Sequence, residues 1–204
     1  RSTVPAIVDE KTGAVVNNDY HDLVIQLYKG FQDYISPDAP DIYPEGLRAD
    51  IDALNIVIYA DFNLAVNLAA LVTSQKDYEY YVERVFRRLD WLEERLSKQR
   101  YLMGDTITEP DIRIFPTLAR FDLVFYQKYY VNRKRLRDYP NLWNYAKDLY
   151  SHPAFGGTTD FDSMRKRFYV VDHTPFEDLP RLVPVGPDDV DWKEPNDRAQ
   201  KFAK

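Results

Sequence analysis

The chain has 204 residues, 45% of them hydrophobic, enough to bury a core in one domain or one domain plus a fragment. Its net charge of −6 argues against nucleic acid or an anionic membrane as the main partner. It contains no cysteine, which excludes a disulfide, a thiolate metal site or a thiol nucleophile within it and fits a reducing compartment.

No apolar run approaches the roughly 20 residues needed to span a bilayer, and no signal peptide opens the sequence. The 16 tyrosines and 11 phenylalanines favour ring-lined pockets or interfaces.

Ser2 to Val8 reads as a short strand, with Pro5 at an edge or a special position because it cannot donate to a ladder. A turn over residues 9–13 leads to a second strand, Ala14 to Val16, so the two form a hairpin. Asn18 or Asp19 then caps a helix through Leu23, Val24 and Leu27. A hairpin and one helix bury too little to be stable unaided, and the expectation is a chain truncated at its N-terminus.

Ser36 to Pro44 carries three prolines and reads as a linker. Leu47, Ile51, Leu54, Ile58, Phe62, Ala65 and Ala69 step by three and four, which predicts one long helix from Glu45 to Leu71. Ser74 and Asp77 open a second, with Val82, Val85, Leu89, Leu92 and Leu96 on its apolar face. Thr108-Glu-Pro-Asp111 forms a capping box, with Pro110 in the first turn and acidic residues at the positive end of the helix dipole. The stripe Ile112, Phe115, Leu118, Ala119 continues that helix, the best specified in the chain.

Pro140-Asn141 opens another helix, ended by Ser151-His152-Pro153, and Phe161 to Tyr169 suggests a short last one. From Thr174 on, five prolines predict extended chain draped over the domain, with the final ten residues frayed.

The stretch YLMGDTITEPDIRIFPTLARF resembles the start of the core helix of the glutathione transferase helical domain. LSKQRYLMGD, IFPTLARFD, RLRDYPNLWNYAKDLY and LVPVGPD resemble, in order, segments of one branch of that superfamily, the glutathionyl-hydroquinone reductases or Xi class. RSTVPAIVDEKTGAVVNND is similar to the second half of that family's thioredoxin-like domain, which reads close to TVPVLWD and then VNNES.

The fold this resemblance implies is mainly α: a glutathione-transferase C-terminal helical domain preceded by the second half of a thioredoxin-like α/β domain. Its boundaries would be residues 1–35 for the partial thioredoxin-like part, 36–44 for the linker, 45–173 for the helical domain and 174–204 for a proline-rich extension. It implies glutathione as cofactor, held by Val4, Pro5, Asp19 and Tyr20, where Tyr20 stands in place of the family's serine. It implies a small quinone-derived aromatic substrate and a homodimer; no nucleic acid, membrane or metal partner is expected, and cytoplasm is the default location.

In this family a cysteine attacks the thioether sulfur of a glutathionyl-hydroquinone, releasing hydroquinone and leaving a mixed disulfide that a second glutathione resolves. No catalytic residue of that kind is present in this chain. The family's pocket tyrosines fall in NNGVYKAGFATSQ and FDPVYVGHF. The corresponding stretches here, NLAVNLAALVTSQ and FDLVFYQKY, put Asn67 and Phe125 at those positions. Tyr59, Tyr126, Tyr129 and Tyr130 are near enough in sequence to stand in as pocket residues.

His21, His152 and His173 show no ligand spacing, and the run Arg133, Lys134, Arg135, Arg137 reads as a solvated face. The expected activity is a glutathione-dependent transferase or reductase. The alternatives are a non-catalytic relative that binds glutathionylated or aromatic ligands, and a dimerisation scaffold.

Overall fold

The computed structural model describes residues 5–171, 182–186 and 189–203, so the expectations for Ser2–Val4, His173 and Pro175, Pro180 and Pro187 lie outside the described residues. The chain forms two compact units, Arg1–Tyr43 and Pro44–Lys204.

In the first unit, β1 (Ile7–Val8) pairs antiparallel with β2 (Val15–Asn17), Ile7 opposite Asn17 and Val8 opposite Val15. The first strand ends at Val8 as expected, and the second has the expected length but starts one residue later. Asp9 Oδ1 accepts from the amides of Lys11 (2.7 Å) and Thr12 (3.1 Å). Gly13 takes φ +67°, a left-handed turn position where a side chain would be strained. Helix α1 (Tyr20–Gly30) is capped by Asp19, whose side chain accepts from the His21 amide at 2.8 Å, and it buries Leu23 and Ile25.

The second unit is helical. Its core is α4 (Gln75–Lys98), whose Val82, Val85, Phe86, Leu89, Leu92 and Leu96 line one buried face, as the spacing requires. Ser74 caps it, the Asp77 amide donating to Ser74 Oγ at 3.1 Å. Helix α5 (Glu109–Arg120) starts with the expected box, the Thr108 amide donating to Asp111 Oδ2 at 2.8 Å. Helix α6 is Pro140–Ser151, α7 is Pro153–Gly156 and α8 is Phe161–Lys166.

The single long helix expected over 45–71 is interrupted. A short 3₁₀ turn leads into α2 (Arg48–Ile58), then a π-turn over Tyr59–Asn63, then α3 (Ala65–Leu71). The Leu64 amide donates to Tyr59 O at 2.8 Å, five residues back. A three-and-four spacing cannot reveal this, because one inserted residue leaves the apolar stripe continuous while widening the turn. The π-turn is tied inward: Asn63 Nδ2 donates to Arg113 O at 3.1 Å, and Asp61 is held by Arg84 and by Arg88 at 2.7 Å. Burial would raise the Asp61 carboxyl, but the hydrogen bonds from Arg88 and Arg84 hold it below the usual carboxylate range. Two further π-turns cover Phe121–Phe125 and Arg167–Val171, the latter extending the predicted last helix.

Against the expectation of no membrane-length segment, the 27-residue stretch Glu45–Leu71 is long and apolar enough to cross a bilayer by length and composition. Part of its apolar content packs inward, with Ile51, Ile58, Phe62, Ala65 and Val66 fully buried, although 39% of the apolar window in all is buried and Ile56 and Leu71 are exposed.

The tail also departs from expectation. Residues Asp189–Lys193 form a 3₁₀ turn and α9 spans Arg198–Lys201. The Trp192 ring packs against Trp143 (4.9 Å between centroids), Tyr150 (5.6 Å), Phe161 (5.6 Å) and Phe115 (6.1 Å). Arg198 is fully buried and donates to Leu96 O (2.7 Å), Gln99 O (2.5 Å) and Arg100 O, the carbonyls at and just beyond the C-terminal end of α4. Those carbonyls have no further helical turn to accept from, and the helix dipole makes that end negative. A guanidinium answers both needs, which is why a segment broken by prolines is nevertheless ordered at its end.

Candidate functional site

In the first unit, Pro5 is exposed and Val4 lies outside the described residues. Asp19 and Tyr20 open α1; one Asp19 oxygen is engaged as the cap, and Tyr20 is 42% exposed with its ring edge-on to His21 at 6.3 Å. The start of an 11-residue helix puts a partial positive charge there, suited to a carboxylate.

The second unit is organised by Asp111, wholly buried. Its Oδ2 accepts from Thr108 N (2.8 Å) and Thr108 Oγ1 (3.0 Å), and its Oδ1 from Leu102 N (2.9 Å) and Tyr145 OH (2.7 Å). Burial raises the carboxyl above its ordinary range, although the bonds from Leu102, Tyr145 and Thr108 pull it back. Two residues to either side of it, Glu109 and Arg113 form a buried pair at 2.5 Å, and Asn55 donates to the second Glu109 oxygen. This polar core fixes α5 against α2 and α6, and so sets the position of the π-turn at its end.

That turn carries the aromatic segment. Phe125 is 3% exposed, its ring packed against Tyr129 (5.5 Å) and Phe168 (6.3 Å), with Tyr129 and Phe168 6.2 Å apart. Tyr169 OH donates to Leu123 O at 3.0 Å and Lys128 Nζ donates to Phe168 O, closing two of the π-turns on each other. Tyr130 is left-handed at φ 56°, and Tyr78 OH donates to its carbonyl at 2.6 Å. Backbone strain of this kind is retained where surrounding contacts over-determine it.

The other proposed pocket residues are placed differently. Asn67 is half-buried and spends its amide on Asn63 O at 2.8 Å, along its own helix, while Tyr59 opens the first π-turn, half-buried. Tyr126 points elsewhere again, lining a polar cleft of about 400 Å³ with Asp122, Gln127, Arg135, Arg137, Gly186 and Asp191.

The basic run is therefore not a uniform solvated face. Arg133 pairs with Glu83 at 2.8 Å, Lys134 lies over the Tyr139 ring at 3.6 Å, and Arg135 and Arg137 enter the cleft. A second, mostly apolar cleft of about 290 Å³ lies between α5, α7 and α8, lined by Ile112, Phe115, Pro116, Ala119, Phe155 and Met164 among others. Neither cleft was signalled in the sequence: each needs a segment more than thirty residues away to complete it, Gly186 and Asp191 in the first and Ala154 to Met164 in the second. Among the described residues, no group of three His, Asp or Glu side chains is gathered as a metal site would require.

Residues 75–148 match the family described as the glutathione S-transferase C-terminal domain. Over 99% of its length the chain is 35% identical to the glutathionyl-hydroquinone reductase YqjG of Escherichia coli, and it spans 60% of that protein. The glutathione-bound structure of YqjG superposes with a TM-score of 0.87 at 34% identity, over 99% of this chain and 64% of that one. A glutathione transferase from Gordonia bronchialis gives a TM-score of 0.90 at 42% identity, covering 99% and 62%. The Xi glutathione S-transferase of Phanerochaete chrysosporium gives 0.81 at 37%, covering 91% and 60%.

Proposed function

Since the chain belongs to the glutathionyl-hydroquinone reductases, the Xi class of glutathione transferases, we propose that the whole protein is a glutathione-dependent reductase or transferase acting on glutathionylated quinone-derived aromatics. The observation that carries this is the identity with the Escherichia coli reductase along almost the full chain, from the hairpin through the core helix to the tail. Glutathione is the thiol substrate, with Val4, Pro5, Asp19 and Tyr20 as its contacts. Tyr59, Asn67, Phe125, Tyr126 and Tyr129 are the proposed contacts to the aromatic partner.

The geometry adds a physical limit. With Phe125 packed in a ring cluster and Asn67 bonded along its helix, neither position offers a phenol hydroxyl to the leaving oxygen. A hydrogen bond of that kind contributes about 0.5–1.5 kcal/mol. Selectivity should therefore shift toward less polar aromatics.

The test is hydroquinone release from a glutathionyl-hydroquinone. The 204-residue chain is expected to release none, because it has no cysteine to attack the thioether. Saturable binding of glutathione by the same chain is expected; turnover by it would overturn the thiol mechanism, and absence of binding would overturn the glutathione assignment.

A homodimer is the proposed assembly, and the location is cytoplasmic. The exposed Ile56, Leu71, Tyr80 and Tyr130 supply apolar surface for self-association. Light scattering at micromolar concentration should give twice the 24.1 kDa chain mass; a monomer mass would count against the dimer.

A further inference from the structure

The polar cleft beside Tyr126 has a chemistry of its own. Tyr126 and Gln127 follow the π-turn Phe121–Phe125, Arg135 and Arg137 flank Leu136 on the next loop, and Asp191 arrives from the tail. At about 400 Å³ it has the size of a small-molecule site.

Both of its carboxylates are engaged. Asp122 Oδ1 takes the Leu136 amide at 2.7 Å, Asp122 Oδ2 faces Arg137 at 3.8 Å, and Asp191 Oδ2 binds Arg137 at 2.5 Å. The Gln127 amide nitrogen spans Asp122 O (3.2 Å) and Gly186 O (3.3 Å).

Its donors are not. Arg135 lies over the Tyr126 ring at 5.4 Å, and among the described residues neither its guanidinium nor the Tyr126 hydroxyl has a hydrogen-bond partner. The buried Nε of Arg137 makes no hydrogen bond, its nearest carboxylate oxygen, Asp122 Oδ2, standing at 3.8 Å. Donors from Arg135 and Tyr126 on a cleft whose carboxylates are already engaged call for a ligand that accepts. The two arginines and two aspartates sum to zero charge, so a monoanion is favoured over a dianion, which the carboxylates would repel. A planar carboxylate matches the guanidinium fork, and the Tyr126 face offers apolar surface for a ring beside it.

We propose that this cleft binds a small aromatic monocarboxylate, at a site that requires no reaction of glutathione. Benzoate is the probe, with benzamide as its uncharged counterpart and inorganic phosphate as the compact, more highly charged anion, each titrated into the chain by calorimetry at low salt. Benzoate should bind saturably, and benzamide and phosphate at least about tenfold more weakly, since a hydrogen bond to a charged group contributes about 1.5–3 kcal/mol.

Arg135→Gln should weaken benzoate by at least about tenfold, and because Arg135 is exposed the variant should keep the melting temperature of the parent chain. Tyr126→Phe should weaken it by less. Benzoate that fails to saturate, benzamide or phosphate that binds as well as benzoate, or an Arg135→Gln chain that binds it unchanged would overturn the proposal.

Discussion

Replacing Arg198 with methionine is expected to lower the stability of the helical unit by about 3–5 kcal/mol, because three carbonyls lose a charged donor at a buried site. For a unit of this size that is a fall of roughly 6–20 °C in melting temperature by calorimetry. Methionine keeps most of the packing of the side-chain stem, so the loss reports the guanidinium rather than a cavity. Lys201→Ala is the comparison: its ammonium reaches Asn141 Oδ1 at 2.5 Å but the residue is exposed, and the change should stay within about 0.5 kcal/mol. An Arg198→Met chain melting within 2 °C of the parent, a bound well below the fall expected above, would show that the tail is an ornament on the fold.

Asp111→Asn should cost about 2–4 kcal/mol, or roughly 4–16 °C, although it is nearly isosteric. Each carboxylate oxygen accepts from a backbone amide, Leu102 on one side and Thr108 on the other. Whichever way an asparagine is turned, its NH₂ meets an N–H that cannot become an acceptor.

The pH behaviour has a definite sign. The folded-state pKa of Asp111 is raised, so the folded chain holds that proton more tightly than the unfolded chain. Its contribution is complete below the ordinary carboxylate pKa and is lost as pH rises through the folded value. Mild acid should therefore widen the gap between the parent and Asp111→Asn, opposite in sign to the loss of a simple salt bridge: the parent gains relative to the variant as pH falls. A gap that shrinks with acid, followed by thermal melts across that window, would contradict this account.

Local chemistry was legible where one short stretch contained the whole interaction. Thr108 and Asp111 are three residues apart and specify the core-helix start by themselves, and the α4 stripe from Val82 to Leu96 lies on one face at helical spacing. The π-turns were not legible, since Ile58, Phe62 and Ala65 keep a helical rhythm through an inserted residue. Arg198 was not either: its partners lie about a hundred residues back, and a lone arginine among prolines carries no local sign that it will be buried. For the same reason the cleft at Tyr126 emerged only when residues 122, 135 and 191 were brought together. The candidate site was thus readable residue by residue through family resemblance, whereas the grouping of its side chains was set by tertiary contacts.

The Glu45–Leu71 stretch has a consequence for biogenesis. Synthesis delivers it before α4 and α5, the helices against which Ile51, Ile58, Phe62 and Val66 are buried. Until residue 120 has been made, a nascent chain carries an apolar stretch long enough to enter a bilayer and without its full set of partners. A holdase at the ribosome would protect the chain over that interval, and slow codons placed between α3 and α5 would prolong it.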